Sequence, residues 1–91
     1  MLITLEEAKL YLKVDGSDDD TLISASIATA EELCEDILRF PLTEFTEIPE
    51  TVKQAALFAV GNLYEQREAL DLKSMIDLMA RLLFAYRKEG W

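Results

Sequence analysis

Apolar residues recur along this chain at alternating spacings of three and four, and the clearest stripe runs through Ile23, Ile27, Ala30, Cys34 and Ile37. That spacing places them on one face of a helix and predicts a helix from about Asp20 to Leu38. Leu22 and Leu33 widen the stripe, while Glu31, Glu32, Glu35 and Asp36 form a charged outer face. Phe40-Pro41 ends the segment, because the residue before a proline is pushed out of helical geometry. A shorter helix is predicted ahead of it, from about Leu5 to Lys13, with Leu5, Ala8 and Leu12 on one face. Thr4 and Glu7 stand at the spacing that lets a hydroxyl and a carboxylate each satisfy an orphan backbone N–H at a helix start. Val14-Asp15-Gly16-Ser17 interrupts the pattern, and Asp18-Asp19-Asp20 supplies N-caps and first-turn carboxylates for the second helix.

Leu42 to Ile48 carries only a hint of alternation and reads as a loop. Pro49 suits the first position of a third helix and Glu50 favours its positive dipole end, so that helix is predicted from there to about Glu68. Val52, Ala55, Ala56, Ala59, Val60, Leu63 and Tyr64 give it a broad face of mostly small residues, which suits a central packing helix. After Ala69-Leu70-Asp71-Leu72, a fourth helix is predicted from about Lys73 to Lys88. Its stripe is Met75, Met79, Leu82 and Tyr86, with Leu78 and Leu83 alongside, and Gly90 stops it. The expected fold is all-α: a small four-helix domain spanning residues 1–91, the long second and third helices packing with the fourth and a short N-terminal helix. Few glycines and prolines agree with this reading.

Composition narrows the function. Ninety-one residues suffice for one small domain and leave no room for a multidomain enzyme. The formal net charge is −9, the wrong sign for a protein that binds by neutralising phosphates. The excess is lopsided: residues 1–50 hold three basic and thirteen acidic side chains, and residues 51–91 hold six and five. No apolar run approaches the roughly 18 residues of a membrane span, and the N-terminal residues do not have the pattern of a signal peptide. A soluble, cytoplasmically made domain is expected.

The candidate chemistry is sparse. Asp15 to Asp20 is the one cluster that suggests a cation, but Ser17, Asp20 and Ser26 stand where a calcium loop starting at Asp15 needs an acidic side chain, Gly and Glu. Capping and a solvated turn explain it more simply. With no histidine in the chain, neither Cys34 nor any serine has the usual activating base, and Cys34 falls on an apolar stripe. Neighbouring acidic pairs such as Glu31 with Glu32 splay apart on a helix rather than converge on a substrate. No enzymatic activity, cofactor or metal is expected. The distinctive polar groups are Tyr64 with Arg67, three apart at the end of the third helix, and Tyr86 with Arg87 at the end of the fourth. Tyr and Arg are enriched where binding energy concentrates in interfaces, which makes these four candidates for an oligomer or partner surface.

The ordered set of pieces resembles the head-tail connector (DNA packaging adaptor) family of tailed bacteriophages and prophages. The matching residues are Thr4-Leu5-Glu6-Glu7-Ala8-Lys9-Leu10-Tyr11-Leu12, the acidic turn Asp18-Asp19-Asp20 leading into Leu22-Ile23, and Ala30 to Ile37. Ile48-Pro49, Ala55-Ala56-Leu57, Leu63-Tyr64-Glu65-Gln66-Arg67-Glu68 and Leu82-Leu83-Phe84-Ala85-Tyr86-Arg87 continue it. The resemblance implies a ring of about a dozen copies in the virion neck, assembled from host cytoplasm beneath the portal protein. Such a ring extends the DNA channel and docks a head-completion, stopper or tail protein. The loop from Leu42 to Glu47 is shorter than in some relatives. Glu31, Glu32, Glu35 and Asp36 are then candidates for an acidic channel or rim surface past which DNA travels without specific binding. Two other readings share the charge: an acidic helical DNA mimic acting as an inhibitor, and a small host regulatory adaptor that binds another protein.

Overall fold

The Thr4 hydroxyl accepts the Glu7 N–H at 3.1 Å while the Glu7 carboxylate accepts the Thr4 N–H at 3.1 Å, the reciprocal box that starts helix α1, Leu5–Leu12. The computed structural model describes residues 3–66 and 71–86. Three further helices follow: α2 from Asp20–Leu38, α3 from Glu50–Glu65 and α4 from Leu72–Leu83. Short 3-10 turns occupy Leu42–Glu44 and Phe84–Tyr86, and no strand occurs among the described residues. The all-α, four-helix expectation holds.

The boundaries depart from expectation where local hydrogen bonding overrides periodicity. Helix α1 stops at Leu12, because Lys13 takes a left-handed cap conformation with φ 62°, its N–H directed to Leu10 and Lys9 carbonyls. Pro49 is the cap of α3 rather than its first helical residue, and Glu50 begins the helix. Helix α3 ends at Glu65, short of the expected Glu68, with the Gln66 N–H bonded to Asn62. Helix α4 starts a residue early, because the Asp71 carboxylate accepts the Ser74 N–H at 3.1 Å and the Ser74 hydroxyl at 2.8 Å. Those bonds, the Ser74 N–H first, hold the Asp71 carboxyl below its usual range. The α-helix closes at Leu83 and tightens into the 3-10 turn; the expected end at Lys88 and stop at Gly90 lie outside the described residues. The predicted loop contains a 3-10 turn, because the Glu44 and Phe45 N–H groups bond back to Pro41 and Leu42.

Consecutive helices run in opposite directions. Ile3 meets Glu31 in the middle of α2 and Lys9 meets Asp20 at its start, so α1 is antiparallel to α2. Tyr64, at the end of α3, reaches Asp19 at the start of α2, so α3 is antiparallel to α2 as well. Tyr86, just past α4, packs beside Phe45, which packs on Phe40 just past α2. Helices α2 and α4 therefore run the same way. The core between them holds Ile23, Ile27, Ala30, Cys34 and Leu38 of α2, Val52, Ala55, Ala56, Ala59 and Val60 of α3, and Met75, Met79 and Leu83 of α4. Leu38 takes the fully buried place expected of Ile37, and Leu83 the one expected of Leu82; Ile37 and Leu82 are half-buried beside them. Small α3 side chains let α2 and α4 approach closely, and at Gly61 the Tyr11 ring of α1 lies 3.3 Å from where a Cβ would stand.

Candidate assembly surfaces

Of the eight residues singled out from the sequence, the six that the structure describes do not form one patch. Helix α2 has 19 residues and is about 28 Å long at 1.5 Å per residue. Tyr64 lies at its start and Tyr86 near its end. The Tyr64 hydroxyl donates to the Asp19 carboxylate at 2.5 Å, so Asp19, at the N-cap position of α2, binds another helix instead of its own N–H groups. The Tyr86 ring stands edge-on to Phe45 at 6.3 Å and 76°, and Phe45 stands similarly against Phe40 at 5.2 Å and 61°. This aromatic series closes the other end of the bundle. Arg67 and Arg87 lie outside the described residues.

Four of the five carboxylates of α2, Glu31, Glu32, Glu35 and Asp36, divide by helical position. Glu31 and Glu35, four apart, turn toward the connecting segments and are half-buried. Glu31 accepts the Ile3 N–H at 3.1 Å and Glu35 accepts the Leu42 N–H at 2.8 Å, so each clamps irregular backbone onto the helix. Glu32 and Asp36, also four apart, are exposed and make no hydrogen bond or ion pair among the described residues. The expected outer face is thus an exposed pair beside a structural pair. Like charges at this spacing cost a few tenths of a kcal/mol in a helix.

The structural pair borders an open cleft of about 560 Å³, with Leu42, Phe45 and Ile48 as apolar lining and Glu50 and Lys53 on the far side. Lys53 forms an ion pair with Glu7, which holds the Glu7 carboxyl below its usual range and raises the Lys53 ammonium. Cys34 lies behind this wall with no solvent exposure. Burial, reinforced by the charges of Glu31 and Glu35, pushes its thiol up to about 12, so it is not a nucleophile near neutral pH. In the acidic turn, Asp20 pairs with Lys9 at 2.8 Å and Asp19 binds Tyr64. No group of three potential metal ligands comes together among the described residues.

Some exposed apolar residues were not anticipated. Leu10 is 82% exposed, Phe84 68% and Leu78 39%. Leu10 and Phe84 fall off the apolar stripes of their own helices, which is the sequence signal that marks them. Arg81 is exposed between Leu78 and Phe84. No helix among the described residues is long and apolar enough to cross a membrane. The family model described as Phage gp6-like head-tail connector protein matches residues 2–88. No curated protein and no solved structure matches the chain.

Proposed function

The chain belongs to the phage gp6-like head-tail connector family, and on that premise we propose that it assembles head to tail into a ring of about a dozen copies below the portal. The family is one of structural phage neck parts, not of enzymes. The ring extends the DNA channel, contacts the portal protein on one side and presents a docking surface for a head-completion, stopper or tail protein on the other. The observation that carries this reading is the match itself, which takes in all four helices and both ends of α2. A head-to-tail ring needs two different patches on each copy. The ends marked by Tyr64 and Tyr86, with Arg67 and Arg87 beyond them in sequence, offer separate places for partners above and below.

The work of such a part is geometric. DNA passes through the bore without specific binding, and the acidic excess of residues 1–50, repeated around the ring, repels its phosphates. Among the carboxylates of α2, Glu32 and Asp36 are the ones free to act on passing DNA or a neighbour, because Glu31 and Glu35 are spent on backbone N–H groups. That division also weighs against a DNA mimic, which needs carboxylates arrayed like phosphates along one face. Sedimentation over a concentration series, with and without the portal protein, followed by negative-stain imaging, tests the proposal. Rings, free or on the portal, support it. A chain that remains monomeric and does not bind the portal sinks it and favours a host adaptor.

A further inference from the structure

Two outward helix faces are unlike ordinary solvated surface. On α2, Thr21, Ser24, Ala25, Ala28 and Thr29 are all exposed, and these exposed positions carry nothing larger than threonine and no charge, in a chain whose residues are 30% charged. Asp20 and Leu22 are only half-exposed, and Asp20 is paired with Lys9. The same outward line continues at Glu32 and Asp36. On α4 and the turn that follows, Leu78, Arg81 and Phe84 are spaced by three and form one ridge pointing away from Met75, Met79 and Leu83. The ridge places a guanidinium between two exposed apolar side chains. Arg81, like Glu32 and Asp36, has no ion-pair partner among the described residues.

We infer that the α4 ridge of one copy docks on the outward face of α2 in the next copy, Leu78 seating on Ala25 and Ala28 and Arg81 pairing with Glu32. The inference rests on the ring reading and supplies its subunit interface. Charge complementarity selects both occupant and direction. With Leu78 at Ala28 and the helices parallel, Arg81 lies about 4.5 Å farther along and Glu32 about 6 Å, within side-chain reach of each other. In the antiparallel arrangement Arg81 would lie beside Ala25, away from both carboxylates. Parallel docking is also what rotational assembly supplies. Helices α2 and α4 already run the same way within the chain, and neighbours in a ring of about a dozen differ by only about 30°. A ridge of residues three apart entering grooves between residues four apart crosses at about 20°, which agrees with that direction. The faces differ, and both turn away from the core that α2 and α4 share, so the contact propagates instead of stopping at a dimer. It withdraws Glu32 from the bore and leaves Asp36 at the edge of the contact.

Charge reversal tests the pairing. Sedimentation of the full chain, alone and with the portal protein, is compared for wild type, Arg81→Glu, Glu32→Arg and the double variant, with circular dichroism confirming helix content. Each single reversal is expected to weaken association by about tenfold or more, and the double variant to recover most of it. An Ala28→Cys and Leu78→Cys chain, oxidised, is expected to give a ladder of covalent species beyond the dimer, with Cys34 buried and silent. Rings that form equally well in both single variants overturn this interface and leave the ring reading standing. A double variant no better than the singles, or cross-links that stop at the dimer, also overturn the interface. A wild-type chain that never associates, with or without the portal, overturns interface and ring together.

Discussion

The Tyr64 hydroxyl donates its hydrogen to the Asp19 carboxylate across a separation of 45 residues, tying the last turn of α3 to the first of α2. A hydrogen bond to a charged acceptor in a partly buried site contributes about 1.5–3 kcal/mol. Tyr64→Phe is therefore expected to lower unfolding stability by about 2 kcal/mol in urea titrations. Asp19→Asn in the Tyr64→Phe background should cost much less than in the wild type, because the pair acts as a unit. Full additivity of the two changes would show that the bond contributes nothing.

Cys34 makes stability fall at alkaline pH. Its folded thiol is raised from 9.0 to about 12, so above pH 9 the unfolded chain releases a proton that the folded chain keeps. The unfolded state then binds fewer protons, and stability declines by up to about 1.4 kcal/mol per pH unit until the folded thiol also titrates. Cys34→Ala should remove that component of the slope in denaturant titrations between pH 9 and 11. Native wild-type protein should also resist alkylation at pH 8 and react once unfolded.

Glu7 and Lys53 work in the opposite direction at acid pH. With its carboxyl held below the ordinary 4.5, Glu7 contributes stability that is present above that value and lost as pH falls through the depressed pKa. Carboxyl NMR titration of Lys53→Gln should show the Glu7 midpoint rising toward 4.5. An unmoved midpoint would assign the depression to the Thr4 N–H instead.

Glu35 clamps the loop after α2 by accepting the Leu42 N–H at 2.8 Å. Glu35→Ala strands that donor near the buried Leu42 side chain and should cost about 1–3 kcal/mol. Glu32→Ala, one position from the structural pair, should be neutral in the isolated chain or slightly stabilising through relief from Asp36. Thermal melts of the two variants distinguish a structural carboxylate from a solvated one.

Gly61 weighs helix propensity against a close neighbour. Alanine in a helix interior is favoured over glycine by about 0.8–1 kcal/mol, and the tightest contact of the new Cβ would be the Tyr11 ring at 3.3 Å, with Glu65 Oε1 at an ordinary 3.9 Å. That ring is 46% exposed and has room to yield. Gly61→Ala should raise the melting temperature by a few degrees, whereas Gly61→Leu should push α1 away and lower it.

Much of the fold was legible because helix periodicity and capping are local. The Thr4 and Glu7 box, the span of α2 and the apolar face of α3 follow from residues three and four positions apart. The misplaced ends have local causes too, but ones that apolar spacing does not register: the left-handed Lys13 cap, the Asp71 bonds to Ser74, and the tightening at Phe84. The candidate surfaces were less legible. Residue type groups Tyr64 and Tyr86, each followed closely by an arginine, as interface candidates, and the helix directions set the two tyrosines at opposite ends of α2. Glu31, Glu32, Glu35 and Asp36 were grouped by adjacency, yet two of them bind backbone that comes from residues 3 and 42.

The sequence by itself determined the helical class, the order of the helices, the charge asymmetry between its halves and the family resemblance, all properties of residue type and short spacing. Tertiary structure decided which carboxylates were consumed by distant N–H groups, which ends of the bundle the tyrosines close, and which faces of α2 and α4 are exposed among the described residues. Those outcomes depend on how amphipathic helices cross. A stripe specifies that a helix buries one face, but the partner and direction of that burial emerge only when all the faces are packed together.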